Sequence, residues 1–165
     1  MILNCHKEIT LMRILVVSDT HGDFYSFNRA VLAQPTAEVI IHLGDGEEQA
    51  EDIRSIYTNK TVLNVRGNCD WCSSSPLYIL RRFADKTVFA THGHEYGVKY
   101  SLETAIKHAL DNSADILLYG HTHIPLTDYR DGLYIMNPGS LRGSGGTYGI
   151  VDITNAGIVT NIIKL

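Results

Sequence analysis

Ile14-Leu15-Val16-Val17-Ser18-Asp19-Thr20-His21-Gly22 is an apolar, largely β-branched run that stops abruptly at a polar turn. Ile14 to Val17 is apolar on both faces and so reads as a buried strand of the parallel type, because a strand with one wet face would alternate. The same event recurs four times downstream. A strand near Glu38 to Leu43 ends at Gly44-Asp45-Gly46, and Thr61 to Val65 runs into Arg66-Gly67-Asn68-Cys69-Asp70. Thr87 to Ala90 delivers Thr91-His92-Gly93-His94, and Ile116 to Tyr119 delivers Gly120-His121-Thr122-His123.

Between these runs lie helical stretches: Phe24 to Ala33, stopped ahead of Pro35, then Glu47 to about Tyr57, and Ser101 to Leu110. The second opens with carboxylates, where the helix dipole favours them. A strand, helix, strand order predicts right-handed crossovers and a sheet covered by helices. Ligands then gather at the carboxyl ends of the strands. A further short strand, Leu77 to Arg82, follows the turn Ser73-Ser74-Ser75-Pro76. From Leu126 onward, strands separated by Asp131-Gly132, Asn137-Pro138-Gly139-Ser140 and Asn155-Ala156-Gly157 give an antiparallel reading.

The 165 residues, 44% hydrophobic and 19% charged, fit one globular domain. A net charge of -4 excludes a broad basic surface, so no stable nucleic-acid binding is expected. No run approaches the ~18 to 20 apolar residues of a membrane span, and no membrane partner is expected. Three cysteines, Cys5, Cys69 and Cys72, are too few and too odd in number to staple the chain, which points to a reducing compartment and a cytoplasmic location. Residues 1–11, broken by Asn4, His6, Lys7 and Glu8, read as an N-terminal extension of a single domain spanning 12–165. Met12, directly before the first strand, is the expected natural start.

Asp19 and His21 are two apart, so in an extended chain both side chains face one way and can share a cation. His121 and His123 repeat that spacing. Asp45 has two carboxylate oxygens and a glycine on each side, which suits it to bridge two cations. Oxygen and nitrogen donors without thiolate suit manganese first, with iron, nickel or zinc as alternatives. Any one of these turns alone is an ordinary turn, since Asp and Asn tolerate turn backbones; the series carries the argument. Among the other histidines, His6 reads as tail, His42 as an interior strand residue, His108 as a helix-face residue, and His94 as packing or solvent contact rather than a ligand. Cys69-Asp70-Trp71-Cys72 spells a Cys-x-x-Cys pair, but such a redox motif normally opens a helix of a thioredoxin-like unit. Here it sits inside the larger constellation and reads as packing or site lining.

In order, Asp19-Thr20-His21, Gly44-Asp45, Gly67-Asn68-Cys69-Asp70, Thr91-His92-Gly93-His94 and Gly120-His121-Thr122-His123 resemble the successive motifs of calcineurin-like metallophosphoesterases. Gly67-Asn68-Cys69-Asp70 and Asn137-Pro138-Gly139-Ser140 resemble the small YfcE-type phosphodiesterase branch. The resemblance covers the chain from Met12. It implies a four-layer αββα sandwich, two mixed β-sheets packed face to face with helices outside. It implies two divalent cations, with Asp19, His21 and His123 on one, Asn68, His92 and His121 on the other, and Asp45 bridging. A small homo-oligomer, such as a homodimer, is also implied. Many superfamily members carry a histidine where this chain has Cys69, and that histidine helps protonate the leaving group or steady the phosphate.

The chemistry expected is hydrolysis of a small phosphodiester, and of some monoesters, by a hydroxide shared between the two cations; magnesium is a further candidate metal. Asn68 contacts the phosphate, and Cys69, Asp70 and His94 are the nearest side chains behind the ligands. The competing reading is a non-catalytic, metal-binding scaffold, because the resemblance extends to a retromer subunit that serves mainly in protein binding. Complete ligand positions favour the hydrolase. For the N-terminus, the expected outcome of intact-mass analysis of protein from its native host is a mass lacking Met1 to Leu11; a mass that includes them overturns the Met12 start.

Overall fold

The computed structural model describes residues 9–165. Of the expected extension, residues 1–8, with Cys5 and His6, lie outside the described residues, while Thr10 and Leu11 already stand in the first strand. In chain order the elements are β1 (Thr10–Val17), α1 (Phe24–Ala33), β2 (Val39–His42), α2 (Glu47–Ile56), β3 (Thr61–Asn64), β4 (Tyr78–Phe83) and β5 (Lys86–Thr91). They continue as α3 (Glu103–Asp111), β6 (Ile116–Tyr119), β7 (Leu126–Arg130), β8 (Leu133–Asn137), β9 (Thr147–Thr154) and β10 (Gly157–Lys164).

The strands form two five-stranded sheets, ordered β10-β9-β1-β2-β3 and β4-β5-β6-β8-β7. Alternation along the strands sorts their side chains into three apolar layers. Ile14, Val16 and Ile41 of the first sheet meet Val88, Ala90, Ile116, Leu118 and Met136 of the second. Their neighbours Leu15, Val17 and Ile40 face the other way, onto Phe27, Ala30 and Val31 of α1 and Ala50 and Ile53 of α2. Phe89, Leu117 and Ile135 likewise face Ala105, Ile106 and Ala109 of α3. Fully burying one such aliphatic side chain is worth roughly 1.5 to 3 kcal/mol, and Ile14, Leu15, Ile40, Ile41, Leu117 and Leu118 are each wholly buried. Helix, sheet, sheet, helix is the expected four-layer sandwich.

Local signals set the helix starts. Asp23 caps α1 by accepting from the Ser26 N–H at 2.9 Å, the role that favours Asp at this position. One expectation needs correction. β8 pairs antiparallel with β7 but parallel with β6, through Ile116 opposite Tyr134 and Leu118 opposite Met136. Turn residues reveal where a strand ends, not which neighbour it pairs with, and β7 and β8 are a hairpin set on the edge of a parallel trio.

That pairing matters for the site. β1, β2 and β3 run parallel in one sheet, and β5, β6 and β8 run parallel in the other. Each trio therefore ends three turns at one edge. Backbone bonds then stitch the turns together: Asp19 N–H to Gly44 O at 3.0 Å, His21 N–H to Asp45 O at 3.0 Å, Gly120 N–H to His92 O at 3.1 Å, and Leu141 N–H to Ser18 O at 2.9 Å.

Candidate metal centre

The chain turns sharply where each strand stops. Asp19, His21, Asp45, His121 and His123 all have positive φ, between 45° and 67°. Asp19 and His21 converge through left-handed turns rather than through the extended backbone the spacing suggested. Such residues cost on the order of 1 kcal/mol or more each and persist only where the surroundings fix them. At Gly67 a side chain is excluded outright: a Cβ there would lie 2.1 Å from Asp45 Oδ1 and 2.3 Å from its backbone N.

Two trios of donor atoms result. In the first, Asp19 Oδ1 stands 3.0 Å from His123 Nε2 and 3.7 Å from His21 Nε2, and the two imidazole nitrogens are 3.3 Å apart. In the second, His92 Nε2 stands 3.0 Å from Asn68 Oδ1 and 3.1 Å from His121 Nδ1. Asp45 Oδ2 lies 3.5 Å from His92 Nε2 and 4.0 Å from His21 Nε2, so it addresses both trios. His121 and His123 do not repeat the Asp19 and His21 pairing; they separate, one to each trio. Donor atoms about 2.1 Å from a shared cation, at right angles, are about 3.0 Å apart. The spacing within each trio suits oxygen and nitrogen donors to a shared divalent cation.

The protonation pattern fits too. His92 Nδ1 is 2.7 Å from Leu43 O, a group that only accepts, so Nδ1 carries the hydrogen and Nε2 keeps a free lone pair. Burial, then the neighbouring His92, pushes His121 down to about 4, so its ring is neutral at physiological pH, the form that ligates. Asp19 Oδ2 accepts from the Ser18 hydroxyl and from the His121 N–H at 3.1 Å, leaving Oδ1 for the first trio. Asp45 Oδ1 accepts the Cys69 N–H at 2.7 Å, leaving Oδ2. Asp19, Asp45 and His92 form a buried floor, while Asn68 and His123 stand at an exposed rim. Asp19 and Asp45 thus put two buried carboxylates at the bottom of an open-faced pocket.

Asp70 does not face the donor atoms. It accepts four backbone N–H bonds, from Asp45 and Gly67 on Oδ2, each at 2.8 Å, and from Gly46 and Glu47 on Oδ1, at 2.9 and 3.1 Å. Burial works to raise its pKa, but these donors outweigh it and hold the carboxyl below its usual range. Cys69 and Cys72 are both free thiols. Burial, then Asp45, pushes the Cys69 thiol up, the opposite of what a redox pair requires. Cys69 Sγ nevertheless falls within 4.8 Å of donor atoms of His21 and Asp45. His94 stands beside the second trio, its ring 5.3 Å from that of His92, with a buried Nδ1 that has no hydrogen-bond partner among the described residues.

A second line of polar groups went unread in the sequence. His42, expected as an interior residue, is wholly buried and accepts the Gly44 N–H on Nδ1 at 3.1 Å. Thr20 Oγ1 donates to Gln49 Oε1 at 3.2 Å, so the 3.0 Å contact between Thr20 Oγ1 and His42 Nε2 must be a donation from the ring. Gln49 Oε1 also accepts the Gly22 N–H at 3.0 Å. On the other side, Asn137 Nδ2 donates to Gly120 O at 2.9 Å, and Ser140 Oγ to Asp19 O at 2.8 Å. The turn motif Asn137 to Ser140 was visible; for Thr20 and Gln49 no spacing pattern gave a signal.

Comparison with known proteins gives a family match over most of the chain. Residues 12–156 match the family model of the calcineurin-like phosphoesterase superfamily domain. The chain is 28% identical over 174 residues to phosphodiesterase YfcE of Escherichia coli strain K12, covering 86% of this chain and 88% of that protein. A conserved Streptococcus pneumoniae TIGR4 protein, described as a predicted phosphoesterase, superposes with a TM-score of 0.79 at 24% identity, over 93% of this chain and 89% of that one. Vacuolar protein sorting 29 of Cryptosporidium parvum shares the fold at a TM-score of 0.73 and 15% identity, over 93% and 98% of the two chains.

His42 gives this edge of the molecule a defined acid response. Burial lowers its pKa from 6.5 to about 4, so between those values the unfolded chain binds a proton that the folded chain refuses. Stability is unaffected by this group above about pH 6.5 and falls as the pH drops toward 4, by roughly 3 kcal/mol at full extent. Denaturant midpoints measured from pH 7 to pH 4 are expected to lose that part of their slope in His42→Gln; parallel curves for the two proteins overturn the assignment.

Proposed function

This chain belongs to the calcineurin-like phosphoesterase superfamily, and from that premise we propose that it is a dinuclear metal-dependent phosphodiesterase acting on small esters. The observation that carries the reading is the pair of donor trios with Asp45 Oδ2 between them. Asp19, His21 and His123 would hold one divalent cation, Asn68, His92 and His121 the other, with Asp45 shared. When bound, such cations lower the pKa of water toward about 7 and neutralise charge on the phosphoryl group. The absence of any thiolate in these trios favours manganese, with iron, nickel, zinc or magnesium as workable substitutes. The free thiols Cys69 and Cys72 favour a reducing, cytoplasmic setting.

The protein's own contribution is placement. Asp70 and the Cys69 N–H fix the Asp45 carboxylate, Leu43 O fixes the tautomer of His92, and Ser18 and the His121 N–H fix Asp19. Asn68 Nδ2, at the exposed rim, can donate to a phosphoryl oxygen as charge develops there. Its neighbour Cys69 lies 3.3 Å away and offers only a weak S–H donor to a departing alkoxide. No histidine occupies that position. The scaffold reading rests on a likeness of fold to vacuolar protein sorting 29, and the complete donor set argues for turnover.

Chelator-stripped protein is expected to be inactive on an aryl phosphodiester and to recover with about two bound cations per chain. Asp45→Asn is expected to lose both cations and far more activity than His94→Ala; metal stoichiometry is read beside turnover, and a fully active Asp45→Asn sinks the scheme. Because Cys69 is a poor acid, aryl phosphodiesters are expected to turn over faster than alkyl ones, and comparable rates on the two count against its assigned place.

A further inference from the structure

The chemistry above uses the phosphoryl group and leaves one large side chain beside it unexplained. Trp71 is the single tryptophan of the chain, and it is 87% exposed. An indole left in water forfeits the largest burial gain available to any side chain, so a solitary exposed tryptophan at a site rim asks for an occupant. The turn that carries it is pinned rather than loose. Asp70 is anchored by its four backbone donors, the Trp71 N–H donates to Cys69 O at 3.1 Å, and the Ser73 hydroxyl donates to Glu47 at 2.8 Å.

Two cavities share Trp71 in their linings. One, of about 410 Å³, is lined by Trp71 with His21, Asp45, Cys69 and the carboxylates Glu47 and Glu48. The other, of about 330 Å³, is lined by Trp71 with Arg66, Asn68, Cys72 and His94. Each contains part of the metal centre, and a phosphodiester has two substituents that must leave phosphorus in different directions. The acidic cavity cannot welcome a second phosphate, but its carboxylates can accept from the N–H groups of a planar heterocycle.

We propose that Trp71 is a specificity-determining residue that stacks on a nucleobase, seated in the Glu47 and Glu48 cavity, of a nucleotidyl phosphodiester. This deepens, and rests on, the phosphodiesterase reading. Base stacking on an aromatic side chain tolerates every base, because each has a π-face. The site then selects nucleotidyl esters as a class rather than one base, and the open rim leaves the second substituent free to vary.

The single indole makes the test direct. Metal-loaded protein, excited selectively at tryptophan, is titrated with adenosine 5′-monophosphate, ribose 5-phosphate and inorganic phosphate. Saturable quenching by adenosine 5′-monophosphate, absent with ribose 5-phosphate, is expected. In competition against an aryl phosphodiester, Trp71→Ala is expected to weaken inhibition by adenosine 5′-monophosphate about tenfold more than inhibition by ribose 5-phosphate, and Trp71→Phe to restore most of the difference. Equal quenching by the base-free phosphate, or equal weakening of both inhibitors, overturns the stacking role while leaving the phosphodiesterase reading intact. Failure to hydrolyse any ester strikes that reading instead, and the fluorescence titration still decides for Trp71.

Discussion

The carboxylate of Asp70 is the interaction on which the rest of the site depends. A tight turn leaves backbone N–H groups pointing inward with no carbonyl to meet them, and burying one unpaired costs about 1 to 3 kcal/mol. Four such groups, from Asp45, Gly46, Glu47 and Gly67, converge on this one anion. Two turns from two different strands become a single floor. The first turn of α2 begins there, so the positive end of that helix also faces the charge. Because the Asp45 N–H is one of the four, the carboxylate that faces both donor trios inherits its position from Asp70.

Strain and support are balanced across the same edge. Five donor residues adopt left-handed backbone, a conformation that costs energy at each. What opposes it is a set of bonds that do not involve the donor atoms: Asn137 on the Gly120 carbonyl, Ser140 on Asp19 O, and the path from Gly44 through His42 and Thr20 to Gln49. Each of these ties one turn to another. The floor that results is rigid and buried, and the rim formed by Asn68, His123 and Trp71 is open. Rigidity sits where charge must be held, and access sits where an ester must arrive.

Much of this was legible from the residues. α1 was found at Phe24 to Ala33 because Pro35 stops it, and its start is held by the Asp23 cap; β6 was found at Ile116 to Tyr119 because four apolar residues stand between an Asp and a Gly. Asp19, His21, Asp45, His121 and His123 stood out because apolar runs end repeatedly in short turns of Gly with Asp or His, whereas Asn68 and His92 were named as donors only through the family resemblance. What failed was what spacing does not encode. Parallel pairing of β8 with β6 depends on a partner nearly twenty residues away. The division of His121 from His123 depends on a left-handed backbone, which Gly-His-Thr-His does not announce and which, at the level of the residues, only the family resemblance supplied. Gln49 and Thr20 were invisible because a buried amide or hydroxyl looks like any surface one until its partners are known, and the exposure of Trp71 runs against the usual fate of its type.

The distances in sequence across the first trio carry a consequence for how the protein comes into being. Asp19 and His123 are 104 residues apart, and Ser140, which holds the Asp19 carbonyl, is 121 residues beyond it. During synthesis the two carboxylates emerge early and wait through most of translation for the imidazoles and hydroxyl that complete their surroundings. Loops this long close slowly, because chain entropy is lost before any contact rewards it. β1, bracketed by β2 and by the late-arriving β9, shares that delay. The donor residues therefore do not stand together until both sheets have met, and completing this edge becomes a late event in folding rather than its nucleus.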